Sequence, residues 1–173
     1  MKRHLFVVGV LLFLFFISCD IGFKPNYTEN INGIQKSVIK YAINPDASPL
    51  NSYSSLYFIQ FGEYSGSGML TGIIDPSDEL SSQLQSEFYN VRPASKGENI
   101  FDATHNGYYD KISGEQGVLI TVGNQIYEKV NDTTIKILVE IFLGDLFAEG
   151  YVYTLQFDGN NWVKIAIDPT WIS

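Results

Sequence analysis

Residues 134–167 read TIKILVEIFLGDLFAEGYVYTLQFDGNNWVKIAI and carry the most regular pattern in the 173-residue chain. Apolar side chains alternate with other residues over 134–143 and again over 151–157. Alternation with a period of two is typical of a β-strand that turns one face toward a core. The sequence DGNN at 158–161 then matches a tight turn between antiparallel strands. This stretch therefore predicts an antiparallel meander at the end of the chain.

The alternation also predicts how the strand after that turn is oriented. Val163, Ile165 and Ile167 occupy alternate positions and are expected to face the core. Trp162 and Lys164 lie between them, so the same pattern places both on the opposite face. A large-to-small change at Ile165 is therefore expected to cost far more stability than a change at Lys164.

Two segments ahead of the meander have helical periodicity. Residues 31–42 place their apolar side chains on one stripe, with Thr28 available as an N-terminal cap. The second helix is expected to begin at Pro76, behind Asp75 as its cap. Together these patterns predict an α+β fold, with one or two N-terminal helices packed on a curved antiparallel sheet that ends in a C-terminal β-meander.

The segment 94–117 has many turn-forming residues and few apolar ones, so it is expected to be a long surface loop with at most a short ordered piece around Ile100-Phe101 or Tyr108-Tyr109. Exposed tyrosines beside Asn and Gly are typical of surfaces that recognise peptides or glycans, because a rigid ring gives contact area at low entropy cost. Tyr108 and Tyr109, together with His105, are therefore the candidate binding residues.

The N-terminus has the features of an export signal. A thirteen-residue apolar run, Leu5 to Ile17, follows a basic opening and precedes Cys19, the only cysteine of the chain. That run is too short to span a bilayer but suits the apolar core of a secretory leader. An exported chain with one unpaired thiol would expose it to oxidation, which favours a modified cysteine.

The sequence Phe16-Ile17-Ser18-Cys19 resembles a relaxed lipobox of the bacterial lipoprotein class. The resemblance implies cleavage before Cys19 and acylation of that residue by a diacylglycerol thioether and an N-acyl chain such as palmitate. It divides the chain into a signal peptide (1–18), a short tether (19–28) and one domain (29–173), anchored to a membrane of the bacterial cell envelope. The alternatives are an ordinary leader with Cys19 left as a free thiol, or an uncleaved anchor.

Two further resemblances concern the mature domain. The ending over 151–165 is similar to the closing hairpin of cystatin-like and ketosteroid-isomerase-like α+β cones. The segments 91–95 and 169–173 look like parts of small bacterial lipoproteins. Neither resemblance implies a catalytic residue.

The net charge of the chain limits the classes of partner that it is expected to bind. Without Lys2 and Arg3, nine basic residues face nineteen acidic ones, which gives the mature chain a formal charge of −10. That sign opposes nucleic acids and anionic headgroups, so contact with the membrane is expected only through the lipid anchor. The expected partners are an envelope protein, a peptide or a glycan, with the domain itself a monomer.

The sequence favours binding or scaffolding over catalysis. His4 leaves with the leader, so His105 is the only imidazole of the mature chain, and neither a histidine-rich metal site nor a bound cofactor is predicted. The alternative is a small hydrolase or isomerase that uses an Asp or Glu in the mouth of an α+β cone. A deep polar pocket would favour the enzyme, and a shallow aromatic surface would favour binding.

Overall fold

The computed structural model describes residues 25–27, 30–44, 54–66, 69–144 and 147–172. The predicted leader, its lipobox and Cys19 lie outside these ranges. Within them, neither helix combines the length and the apolar character needed to cross a membrane.

The described residues form two α-helices and ten β-strands. The helices are α1 (Ile31–Ile43) and α2 (Asp78–Glu87), and a 3-10 turn covers Ala94–Lys96. The strands are β1 (Tyr57–Tyr64), β2 (Leu70–Ile74), β3 (Val91–Pro93), β4 (Gly97–Phe101), β5 (Asn106–Asp110), β6 (Gln116–Gly123), β7 (Glu128–Asn131), β8 (Thr134–Gly144), β9 (Phe147–Phe157) and β10 (Trp162–Ile172).

The strands build one mixed sheet whose main path runs β10-β9-β8-β6-β1-β2. β8, β9 and β10 pair antiparallel in chain order. β1, however, lies parallel to β6 on one side and parallel to β3 on the other. The predicted α+β fold on an antiparallel sheet is therefore wrong, because the fold is dominated by a ten-stranded sheet with parallel pairs at its centre. Parallel neighbours need a long crossover, and side-chain alternation does not reveal that pairing.

Both helices follow the predicted periodicity, and α2 begins two residues later than the predicted start at Pro76. Asn30 occupies the cap position of α1 without a side-chain cap bond, and Thr28 lies outside the described residues. Ser77 caps α2 by accepting a hydrogen bond from the Leu80 backbone N–H, so the predicted cap at Asp75 is wrong. Asp75 instead accepts from the backbone N–H of Ser95, at the 3-10 turn.

The main core lies between the helices and one face of the sheet, which is called the helix face here. Apolar side chains from β1, β6, β8 and β9 line this face at alternate positions, as the period-two pattern requires. Its fully buried members include Ile34, Val38, Ile59, Ile120, Ile137 and Tyr153. The opposite face, called the open face, carries a small apolar cluster of Leu70, Leu138 and Val152.

The predicted orientation of β10 is wrong at most positions. Ile165 is the extra residue of a β-bulge between Lys164 and Ala166, and 54% of it is exposed. Trp162 is buried in the core, and Lys164 places its ammonium group over the ring of Tyr41. The bulge shifts the alternation by one residue, so even positions face the core before it and Ile167 faces the core after it. A second register shift, between Pro169 and Trp171, then places Trp171 opposite Gly150 on the open face.

Val163 and Ile167, on either side of the bulge, face opposite sides of the sheet. Val163 pairs with Gln156 and shares the open face with it, whereas Ile167 pairs with Tyr153 and packs against the core. Of the three residues predicted to face the core, only Ile167 therefore does so.

The predicted loop at 94–117 is also wrong, because it contains β4, β5 and the start of β6. β4 and β5 form an antiparallel hairpin, and Tyr108 and Tyr109 of β5 pair with the first residues of β6. The hairpin covers Phe58 on the open face, where the rings of Phe58 and Tyr108 meet edge to face at 4.9 Å. The sheet beneath supplies most of the apolar surface at this contact, so the hairpin needs few apolar residues of its own. Its polar, glycine-containing sequence therefore has the composition of a loop.

A candidate ligand cleft on the open face

One row of residues crosses the open face from strand to strand. Gln60 pairs with Thr121, Thr121 with Glu140, Glu140 with Gly150, and Gly150 with Trp171. Residues at paired positions point to the same face, so this row joins five strands. It places an amide, a hydroxyl and a carboxylate side by side on a sheet whose neighbouring rows are largely apolar.

The three polar groups of the row have defined partners. The Gln60 side-chain amide donates to the hydroxyl of Thr121 at 2.9 Å. Oε1 of Glu140 accepts the backbone N–H of Leu70 at 2.7 Å, which ties β2 to the centre of the sheet. Burial raises the pKa of the Glu140 carboxyl, and the bond from Leu70 lowers it by a smaller amount.

Gly150 makes room for the indole of Trp171. A Cβ atom at Gly150 would lie 2.2 Å from Nε1 of Trp171, which is far inside a normal contact. The absence of a side chain therefore allows the indole to lie directly against β9. Among the described residues, this buried indole nitrogen has no hydrogen-bond partner.

These residues line an open cleft of about 290 Å³. Its floor is formed by β1, β6 and β8, and its sides by residues of β2, β4, β9 and β10. The lining residues are Gln60, Leu70, Ile73, Asn99, Leu119, Thr121, Glu140, Ile141, Phe142, Ala148 and Trp171. The cleft thus combines an apolar wall with a few polar groups, and its volume is near the lower limit of small-molecule sites.

The candidate residues from the sequence lie in the β4–β5 hairpin beside this cleft. Tyr109 is 8% exposed, and its hydroxyl accepts from the backbone N–H of Asn106. The Tyr108 hydroxyl donates to the carbonyl of Ala94 at 2.8 Å. Burial, with a smaller contribution from Asp75, raises the pKa of Tyr108. Both tyrosines therefore help to hold the hairpin on the sheet.

His105 lies in the exposed turn between β4 and β5. Its Nδ1 is 3.1 Å from a carboxylate oxygen of Asp102, and about half of each side chain is exposed. Hydrogen bonds from the Thr104 backbone and hydroxyl and from the His105 backbone hold the pKa of Asp102 well below its usual range. This pair stabilises the turn, and neither residue lines the cleft.

The sequence pattern did not identify the residues of the cleft. Glu140 was a polar position in an alternating strand, and Gln60 and Thr121 were ordinary strand residues. One available signal was the charge of Glu140 within a largely apolar strand. The hairpin from 94–117 does border the cleft, through Asn99 of β4 and through Phe101, whose ring meets Phe142 at 6.4 Å.

Comparisons with protein families, curated proteins and solved structures found no significant match to this chain. In the described part of the chain, no group of three or more His, Cys, Asp or Glu side chains is arranged to hold a metal ion. The chemistry of the cleft is therefore interpreted from its own residues.

Proposed function

We propose that the protein is a lipid-anchored lipoprotein of the bacterial cell envelope whose domain binds a small ligand in the open-face cleft. The observation that carries the binding role is the polar row of Gln60, Thr121 and Glu140 at the bottom of an apolar cleft. A desolvated carboxylate costs stability, so its presence on a sheet face is better explained by recognition than by packing.

The start of the described chain supports an anchor that leaves this cleft open. The Tyr27 hydroxyl donates to the carbonyl of Asn131 at 3.1 Å, and its ring packs near Trp162 at 5.7 Å. Tyr27 is eight residues from Cys19, a span of at most about 28 Å. The turn that holds Tyr27 precedes Thr134, and Glu140 lies about 20 Å further along β8. The tether therefore meets the domain at a distance from the cleft.

The binding role can be tested with the neutral probe 2-phenylethanol. Trp162→Phe leaves Trp171 as the only tryptophan, so fluorescence of the detergent-extracted protein then reports on the cleft. We expect saturable quenching or enhancement by the probe. Ala148→Phe fills the cleft and should abolish the change, whereas Ala166→Phe, on the same face but outside the cleft, should not. Equal responses in both alanine variants would contradict the proposed site.

The anchor is tested by Cys19→Ala in a bacterial host that processes lipoproteins. We expect the unmodified protein to enter the detergent phase as the processed form and the variant to lose acylation and processing. A variant that is still processed and still enters the detergent phase would contradict acylation at Cys19.

The raised pKa of Glu140 favours one second candidate, an isomerase in which this carboxylate transfers a proton. Perturbed carboxyl groups in clefts are typical of general acid-base sites. Among the described residues, no other titratable side chain lines the cleft, so these walls offer such a reaction no second acid or base. Binding is therefore the function that the geometry supports better.

A further inference from the structure

We infer that the ligand of the cleft is a small organic ammonium ion that carries an apolar group. This inference rests on the proposed binding function and names the chemical class of its ligand. It is carried by the surroundings of Glu140, by the distribution of the basic residues and by the apolar walls around the carboxylate.

Glu140 lacks a cationic partner among the described residues. Within the described part of the chain, Glu140 accepts one hydrogen bond, from the Leu70 backbone to Oε1, which leaves the second oxygen available. Lys136 lies on the same face of β8, but its ammonium group pairs with Glu128 at 2.7 Å. A half-buried carboxylate without a counter-ion gains most from a ligand that brings a positive charge.

Other groups of the cleft suit the same ligand. Thr121 accepts from the amide of Gln60, and the side-chain carbonyls of Gln60 and Asn99 are acceptors that an ammonium group can use. Trp171 and Phe142 add aromatic surface, which attracts cations through the ring face and also packs against an apolar group. The cleft volume of about 290 Å³ limits the ligand to a small molecule.

The overall charge of the protein also favours a cationic ligand. A mature chain with a formal charge of −10 repels anions and raises the local concentration of cations. The same field disfavours carboxylate or phosphate ligands, and the described residues that line the cleft include neither Lys nor Arg. Both the groups of the cleft and the net charge of the domain therefore favour an organic cation as the ligand.

Three probes with one apolar group test the inference: 2-phenylethylamine, 2-phenylethanol and 3-phenylpropanoate. Titration calorimetry on the full mature protein in mild detergent compares their affinities, with the same micelles alone as the blank. We expect the amine to bind about tenfold more tightly than the alcohol, because it adds one charge-assisted hydrogen bond to Glu140. The carboxylate should bind less tightly than both.

The variant Glu140→Gln keeps the size of the side chain and its acceptor for Leu70. We expect it to lower the affinity for the amine about tenfold and to lower the affinity for the alcohol by a clearly smaller factor. Because the comparison of the three probes is made on the unaltered protein, it tests the inference even if the variant does not fold.

The outcomes separate the inference from the proposed function. If the alcohol or the carboxylate binds as tightly as the amine, and Ala148→Phe abolishes that binding, the cleft is a binding site but not one for ammonium ions. A preference for the amine that survives Glu140→Gln also overturns the inference. If no probe binds, or Ala148→Phe leaves binding unchanged, both the inference and the proposed site fail.

Discussion

The two faces of the sheet use the same strands in different ways. On the helix face, β8 contributes Ile135, Ile137, Val139 and Ile141, each at most 1% exposed beneath the helices and the neighbouring strands. On the open face, the same strand contributes Lys136, Leu138, Glu140 and Phe142, of which Leu138 alone is buried. One face is closed by packing, and the other carries a polar row in a cleft.

The contrast shows that core packing and the proposed binding role make different demands on one strand. A β-strand sends successive side chains to opposite faces, so one row can be selected for packing and the next for chemistry. The open face is covered only in part, by Leu70 of β2 and by the β4–β5 hairpin over Phe58. The cleft lies where that cover is incomplete.

The largest effect is expected on the helix face. Ile137→Ala removes a fully buried side chain and should lower the free energy of unfolding by about 2 to 5 kcal/mol. Gln156→Ala on the exposed part of the open face should change it by no more than about 0.5 kcal/mol. Urea unfolding of both variants measures the difference. Similar losses would show that the two faces are not distinct.

The bulge in β10 gives the next largest contrast. Ile167→Ala should cost about 1 to 2 kcal/mol, because Ile167 packs against the core. Ile165→Ala should cost no more than about 0.5 kcal/mol, because Ile165 is exposed at the bulge. If urea midpoints show Ile165→Ala to be the more destabilising change, the register of β10 described here is incorrect.

Tyr153 is an exception on the helix face. Its buried hydroxyl has no hydrogen-bond partner among the described residues, and burial raises its pKa. Tyr153→Phe removes an unsatisfied polar group and should raise the free energy of unfolding by about 1 kcal/mol. Tyr151→Phe is the matched control, because the Tyr151 hydroxyl bonds to Glu149 and its loss should lower stability. A loss of stability in Tyr153→Phe would indicate a partner for that hydroxyl.

The smallest effect concerns the pH dependence of Glu140. Because burial raises its pKa in the folded state, the folded protein binds this proton more tightly than the unfolded chain does. Stability therefore falls as the pH rises from the unfolded pKa, about 4.3, through the raised folded pKa. Glu140→Gln removes this loss, so its gain in stability should be larger at pH 7 than at pH 4.

Chemical denaturation of wild type and Glu140→Gln at both pH values measures that gain. The control is Glu128→Gln, which alters an exposed carboxylate paired with Lys136. An equal effect of Glu140→Gln at both pH values would contradict a burial-raised pKa.

The sequence predicted the local structure better than the assembly. Alternation identified the strands around Ile137 and Tyr153, and helical spacing identified α1 and α2, because both signals are carried by neighbouring residues. The parallel pairing of β1 with β6 depends on contacts between residues about 60 positions apart, which alternation does not encode. The bulge at Ile165 was missed because the apolar alternation continues through it, and the hairpin over Phe58 was missed because its strands are polar and contain glycine.

The candidate site was less predictable than the fold. The sequence pointed to the segment 94–117, whose hairpin borders the cleft, but it selected the tyrosines that hold this hairpin in place. Gln60, Thr121 and Glu140 come together only through strand pairing, so no spacing along the chain marks them as a group.

The most direct test of a ligand site on the open face is the response of the two indole N–H signals. Trp171 lines the cleft, whereas Trp162 lies in the core on the helix face. In a 15N-labelled protein assigned with Trp162→Phe, titration with 2-phenylethylamine should shift the Trp171 signal and leave the Trp162 signal in place. An unchanged Trp171 signal at saturating probe, or a shift confined to Trp162, would contradict a binding site in this cleft.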